Sequence, residues 1–247
     1  MMDNTVFDKY GDITDRRKEF LQHTLADLIP RYGLRTAMDV GCGVGYFSNF
    51  LARMGLNVAA FDGRDENVIE ARNRYPDIAF ERYDIEDARL SELEPRDFVL
   101  CFGLLYHLEN PFRAIRNLSS LTKKFLIIES MIAPYLSPSA VLIDEAKSID
   151  QALSYIALVP SEACLVKMLY GAGFPHVYRA AKLPNHEDFK ATLGHKRRRT
   201  ILVASKSRLS PPMFRELREA SVSNVWERKI FRILNKIKTL RSRLAGR

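Results

Sequence analysis

Residues 38–47 read MDVGCGVGYF, an apolar run that enters three alternating glycines and leaves into a helical pattern. Glycine tolerates positive φ and lets a backbone approach a ligand closely, so this segment reads as a tight strand–loop–helix turn. The rest of the chain keeps the same rhythm. Apolar runs predict strands at 36–40, 57–61, 78–83, 98–102, 124–129, 176–181 and 200–205. Helical periodicity falls between them at 44–54, 65–75, 112–121 and 161–170, after a first amphipathic helix at 14–29 that Pro30 and Gly33 should end. Asp65 and Ser161 read as helix caps, and Pro111 as a helix opener. Strands alternating with helices imply right-handed crossovers and a parallel sheet. The unbroken apolar runs FVLCF (98–102) and KFLIIE (124–129) suit a sheet covered on both faces. The expected fold class is therefore α/β and Rossmann-like, with helices on both faces. Residues 131–160, with Pro134, Pro138 and Pro160, break the rhythm and read as an insertion above the sheet. The expected division is a helical cap at 1–35, a main domain at 36–206 carrying that insertion, and a tail at 207–247.

Charge excludes less than it first suggests. The chain has 247 residues with 38 Lys+Arg against 30 Asp+Glu, a net +8. Residues 206–247 hold 12 basic and 3 acidic side chains, so the body is close to neutral. A nucleic-acid enzyme spreads positive charge over its working face, and here only HKRRR (195–199) and the tail offer any. Hydrophobic residues at 47% argue for a folded chain with a sizeable core. No apolar run approaches the roughly 20 residues of a membrane span, and the acidic start MMDNTVFDKYGD does not look like a secretory signal. Cys42, Cys101 and Cys164 read as buried thiols of a reducing cytoplasm, with no CxxC pair for zinc.

The glycine spacing is G-x-G-x-G, with Asp39 two residues ahead of it. The second strand ends at Asp62, where a carboxylate is placed to accept from ribose hydroxyls, as in dinucleotide folds. The third ends at Asp84, suited to an adenine amine, with Ile85 against the ring. Together with YDIED (83–87), FGLLYHLENP (102–111), PSEACLVKMLYGAGF (160–174) and RRRTILVAS (197–205), the chain resembles the class I S-adenosylmethionine-dependent methyltransferases over roughly residues 36–206. The resemblance implies a seven-stranded sheet of order 3-2-1-4-5-7-6 with an antiparallel seventh strand, and S-adenosylmethionine as cofactor. It also implies a set of cofactor-facing residues: Asp39, Gly41, Cys42, Gly43 and Gly45 in the loop, Asp62 with Gly63, Asp84 with Ile85, and Phe102 with Gly103. In such a family Asp39 orders the loop and reaches the cofactor's amino group, often through water.

Methyl transfer needs positioning and, for a hydroxyl acceptor, a general base. His107, just past the fourth strand, is the candidate base, and Tyr106 beside it is placed to line the transfer site. The alternative for both is that they cap a helix and pack under the insertion. Glu129 either faces the pocket or pairs at its strand end, and Asp144 with Glu145 either meets a metal or an amine or is simply solvated. No HExxH, GxSxG or P-loop pattern supports protease, hydrolase or kinase chemistry, and no metal is expected. The expected activity is O-methylation of a small molecule or glycan by a cytoplasmic enzyme. A second reading is a tRNA-modifying transferase, because GLLYHLENP resembles the GVLYHRRSP stretch of the wobble-uridine carboxymethyl-transferring family, departing from it at Leu108 and Glu109. A third is a non-catalytic, cofactor-binding or membrane-recruited module. Residues 225–245 form a basic amphipathic pattern that suits a second subunit, an anionic membrane surface or, less well, a nucleic acid.

Overall fold

The computed structural model describes residues 11–87, 90, 92–148, 151–191, 197–210 and 213–219. Helix α1 (Gly11–Tyr32) buries Ile13, Arg17, Leu21, Thr24, Leu25 and Leu28, the spacing of one helical face laid on a sheet. It continues past Pro30, where the sequence led to a stop. A proline in the last turns forfeits only one backbone hydrogen bond, and Leu34 N closes the end by donating to Ile29 O at 3.0 Å.

The alternation then unfolds as β1 (Thr36–Val40), α2 (Tyr46–Arg53), β2 (Asn57–Asp62), α3 (Asp65–Arg74), β3 (Ala79–Arg82), β4 (Arg96–Phe102), α4 (Pro111–Leu121) and β5 (Thr122–Met131). A hairpin follows, β6 (Ala140–Asp144) and β7 (Ile156–Pro160), then α5 (Glu162–Gly171), β8 (His176–Ala180), β9 (Arg199–Ser205) and β10 (Phe214–Glu216). Pro111 opens α4 as expected. Ser161 caps α5, its Oγ accepting from Cys164 N at 3.1 Å. Asp65 does not cap α3. Arg64 holds that position without a side-chain bond, and Asp65 is the first helical residue, where its charge still suits the positive end of the helix.

The main sheet has the order β10-β8-β9-β5-β4-β1-β2-β3. Strands β3, β2, β1, β4 and β5 run parallel, and β9 runs antiparallel to both β5 and β8. This is the expected order, with one strand added: β10 pairs antiparallel with β8, inside a stretch whose charge made it read as tail. Strand β4 shows why both faces must be covered. Val99 and Cys101 pack with Ile115 and Leu118 of α4 and Leu165 of α5, whereas Phe98, Leu100 and Phe102 pack with Leu21, Leu25 and Leu51 of α1 and α2. The strand order reverses between β1 and β4, so the crevice at the carboxyl ends of these strands is where a ligand meets such a sheet.

The hairpin β6–β7 forms its own two-stranded sheet. It is seated over the end of β4 by Leu158 N donating to Leu108 O at 2.8 Å and Ala133 N donating to Pro160 O at 3.0 Å. Tyr155, entering β7, has φ 62°, a left-handed conformation that costs a bulky side chain on the order of 1 kcal/mol or more.

Candidate active site

The glycine loop is fixed to the end of β2. Gly41 N and Cys42 N both donate to Phe61 O, at 2.9 and 3.1 Å, and Gly43 N donates to Asp62 Oδ2 at 2.9 Å. Gly41 has φ 72°, and a Cβ there would stand 2.9 Å from Leu104 Cδ2, so both conformation and space require glycine. Asp62 Oδ1 accepts from Arg64 N and from Asn67 Nδ2, each at 3.0 Å. Three donors on about four lone-pair directions leave Oδ2 able to accept one more hydrogen bond.

Above the loop lies a cavity of about 690 Å³. Gly41, Cys42, Gly43, Asp62 and Gly63 form its near side, Asp84 and Ile85 flank it, and Phe102, Gly103, Tyr106 and His107 form its far wall. Eleven of the thirteen residues singled out in the sequence are thus brought together. Asp39 and Gly45 stand behind the cavity rather than in it. A Cβ on Gly45 would meet Phe80 Cζ at 2.8 Å, so this glycine serves the packing of α2. Asp39 is buried and accepts from Ser48 Oγ at 2.6 Å. Burial pushes its carboxyl up to about 7, with the Ser48 bond opposing and the charge of Asp62 adding to the rise. Asp84 is exposed, its Oδ1 accepting from Glu86 N at 2.9 Å. A glycine-rich loop near two carboxylates, in a cavity of ordinary ligand size, fits a nucleoside-bearing cofactor.

His107 lies in a single 3₁₀ turn, Leu105–His107, immediately after β4. Its Nδ1 is 2.7 and 2.8 Å from the two carboxylate oxygens of Glu145 on the hairpin. The Glu145 side chain is 6% exposed, and its Oε2 also accepts from Ala152 N at 2.6 Å. A carboxylate on Nδ1 holds the proton on that nitrogen, which makes Nε2 the basic one. Glu145 is therefore no solvated loop residue. Sequence reasoning missed its role because its partner lies far away in the chain. The Tyr106 ring packs against the His107 ring at 4.1 Å between centroids.

Two further features hold the hairpin down. Arg64 Nη2 donates to Ser148 O, Gln151 O and Ala152 O at 3.4, 3.1 and 3.0 Å. Leu153 Cδ1 approaches within 2.8 Å of where a Cβ on Gly63 would stand. Glu129, for which two roles were open, takes the structural one. It is fully buried, off the cavity, and paired with Arg17 at 2.9 Å and Arg199 at 3.1 Å.

The basic segment at 195–199 is not a positive face in its described part. Arg197 is bound to Glu162, and Arg199 is bound to Glu129 and Asp188, which leaves Arg198, 61% exposed, as the outward one. His195, Lys196 and the amphipathic stretch at 225–245 lie outside the described residues. His176 pairs with Glu216 and His186 lies 3.7 Å from Asp12, both away from the cavity. Cys42 and Cys101 are buried thiols, and Cys164 is half-buried. Among the described residues no group of His, Cys, Asp and Glu could hold a metal ion, and no helix is long and apolar enough to cross a membrane.

The family described as a methyltransferase domain matches residues 16–173. A ubiquinone biosynthesis O-methyltransferase of Ralstonia nicotianae is 30% identical over 124 residues, 49% of this chain and 50% of that one. The chain thus spans about half the length, or less, of the curated relatives it matches. The fold is shared with the N-terminal domain of EvdMO1 with SAH bound, at TM-score 0.62 and 19% identity over 76% of this chain and 80% of that one. It is also shared with magnesium protoporphyrin IX methyltransferase from Synechocystis PCC 6803 with bound SAM, at TM-score 0.53 and 22% identity over 80% and 83% of the two chains.

Proposed function

The chain belongs to the class I S-adenosylmethionine-dependent methyltransferases, and on that premise we propose that it methylates a hydroxyl group of a small molecule, with His107 as general base. One observation carries this reading: the imidazole on the far wall of the cavity is held through Nδ1 by Glu145 at 2.7 Å. Such a dyad suits a hydroxyl acceptor, which gains from losing its proton as it attacks. Bound S-adenosylmethionine supplies a methyl group on a positively charged sulfur. Asp62, with its remaining acceptor site, would hold the ribose hydroxyls, and Asp84 with Ile85 the adenine. His107 Nε2 takes the acceptor's proton, and Glu145 steadies the imidazolium that results. The hairpin, pinned by Arg64, keeps water from the reacting groups. The pairing of Arg197 with Glu162 and of the buried Arg199 with Glu129 weighs against a tRNA acceptor. A glycan hydroxyl remains within the same chemistry.

The test is turnover of S-adenosylmethionine with a panel of hydroxylated small molecules, read as S-adenosylhomocysteine by mass spectrometry. His107→Ala should lower kcat by about 10²- to 10⁴-fold while S-adenosylhomocysteine still binds. Absence of that binding in calorimetry on folded protein would refute the reading at its root.

A further inference from the structure

Glu145 decides which nitrogen of His107 carries the proton, so the base is only as well placed as Glu145 itself. A main-chain donor holds that carboxylate: Ala152 N donates to Glu145 Oε2 at 2.6 Å. This N–H belongs to the peptide group that joins Gln151 to Ala152. The carbonyl of the same peptide group, Gln151 O, accepts from Arg64 Nη2 at 3.1 Å. One peptide group therefore has a guanidinium on its oxygen and a carboxylate on its nitrogen. Both partners polarise it in the same sense. The cation draws electron density toward the oxygen, the N–H becomes a stronger donor, and its bond to an ionised carboxylate gains.

The turn that carries this peptide is closed on both sides. Ala152 O also accepts from Arg64 Nη2, at 3.0 Å, and from Tyr155 N, at 3.3 Å. Glu145 N donates to Tyr155 O at 2.8 Å, which returns the turn to Glu145. Tyr155 takes its left-handed φ of 62° here, and the Arg64 guanidinium stands 5.9 Å from the centre of its ring. A bulky residue keeps such a conformation only where its surroundings over-determine it. At its backbone end Arg64 is fixed as well, its N donating to Asp62 Oδ1 at 3.0 Å. The path from the carboxylate at the end of β2 to the imidazole is thus unbroken, through Arg64, the Gln151–Ala152 peptide and Glu145.

We infer that Arg64 is a positioning residue for the base: acting through the Gln151–Ala152 peptide and Glu145, it keeps His107 with its proton on Nδ1 and Nε2 as the basic nitrogen. This rests on the reading of His107 as general base and adds what sets that base. The segment that follows Asp62 then serves both halves of the reaction, holding the cofactor's crevice together and assembling the group that takes the acceptor's proton.

Histidine-selective nitrogen labelling of the full chain tests this, because two-bond proton–nitrogen spectra tell the two neutral tautomers apart. At about pH 8.5, well above the ordinary histidine pKa of about 6.5, the His107 signals, identified as those lost in His107→Ala, should show the proton on Nδ1. Arg64→Ala should move at least about a third of His107 to the Nε2–H form that an imidazole prefers in water. The other histidine signals should stay in place, which shows that the fold is intact. Arg64→Lys should restore most of the Nδ1–H form, since an ammonium can still donate to Gln151 O. In Glu145→Ala the Nε2–H form should dominate, and adding Arg64→Ala should change nothing more, because the path from Arg64 runs through Glu145. A His107 signature that Arg64→Ala leaves unaltered overturns the proposal. So does an Nε2–H form in the unaltered protein, or a lysine variant no better than the alanine one. Calorimetry with S-adenosylhomocysteine on the unaltered protein separates the two readings. Absence of binding overturns the methyltransferase reading and this proposal with it, whereas a failed tautomer test in a protein that binds overturns this proposal and leaves the cofactor reading standing.

Discussion

An imidazole alone can carry its proton on either nitrogen, and only one choice leaves the other able to take a proton from a substrate. Glu145 makes that choice for His107, at 2.7 Å from Nδ1. Glu145→Gln removes the charge that stabilises the imidazolium but keeps the volume. It should lower kcat by about 10- to 100-fold, less than His107→Ala, and leave the dissociation constant of S-adenosylhomocysteine within twofold. A kcat equal to that of the unaltered protein would remove Glu145 from the mechanism. Asp39 makes a different prediction. Its carboxyl is raised from 3.8 to about 7 in the fold, first by burial. The folded protein therefore keeps a proton that the unfolded chain releases. The sign follows: stability is highest below about pH 4 on this account and falls as pH rises to about 7, where the loss is complete. Asp39→Asn carries no charge and can still accept from Ser48 Oγ. In urea unfolding of ligand-free protein, its stability relative to the unaltered chain should grow by up to about 1.4 kcal/mol per pH unit across that window. A difference that is the same at pH 5 and pH 8 would refute the assignment.

Between elements, the chain joining the strands of the hairpin β6–β7 is tied to the main domain in part by one side chain. Arg64 follows Asp62 by two residues and donates to three carbonyl oxygens of the chain between the two hairpin strands. Arg64→Ala should speed hydrogen exchange at residues 145–148 and 151–155 and raise KM for the cofactor by about 10- to 100-fold, the worth of one charge-assisted bond. Unchanged exchange there would show that the hairpin holds itself. The parts of this architecture that were legible in sequence are the ones with a local cause. The run FVLCF could only be a doubly covered strand, Ser161 stood where a cap was needed, and three glycines stood where a backbone had to turn tightly. The hairpin was not legible, because β6 (AVLID) is apolar on both sides: Ile143 lines the cavity while Leu142 is exposed, so no alternation marks it. Strand β10 was hidden for a different reason. Its three residues, Phe214–Glu216, gain their meaning only by pairing with β8. Arg64 and Glu145 were hidden for the same reason, since each acts on a partner that the chain reaches only by folding.

On the scale of the whole molecule, the site is completed by charge buried across the chain's length. Arg17 on α1, Glu129 on β5 and Arg199 on β9 meet in one cluster, which binds the first helix to the sheet and the sheet to one of its last strands. Nothing in local composition announces this, since Arg17 is one of several charged side chains on its helix. Net charge misled in the same way, because Arg197 and Arg199 look like surface charge in RRR and are bound by Glu162 and Glu129 instead. The cluster's contribution is large only when one member is missing, since the penalty lies in the charge left behind. Glu129→Gln leaves Arg17 without its carboxylate and Arg199 with only Asp188 and Tyr106. It should destabilise the protein by about 3–5 kcal/mol in urea unfolding, a large part of a typical total of about 5–15 kcal/mol. Adding Arg17→Met removes the stranded cation, so the double variant should recover at least about 1 kcal/mol of that loss. If the second substitution instead adds its full cost to the first, the two residues do not act as a pair. The helix would then be held by its apolar face, Ile13, Leu21, Leu25 and Leu28 among it, with Arg17 placed on the cavity wall by packing rather than by charge.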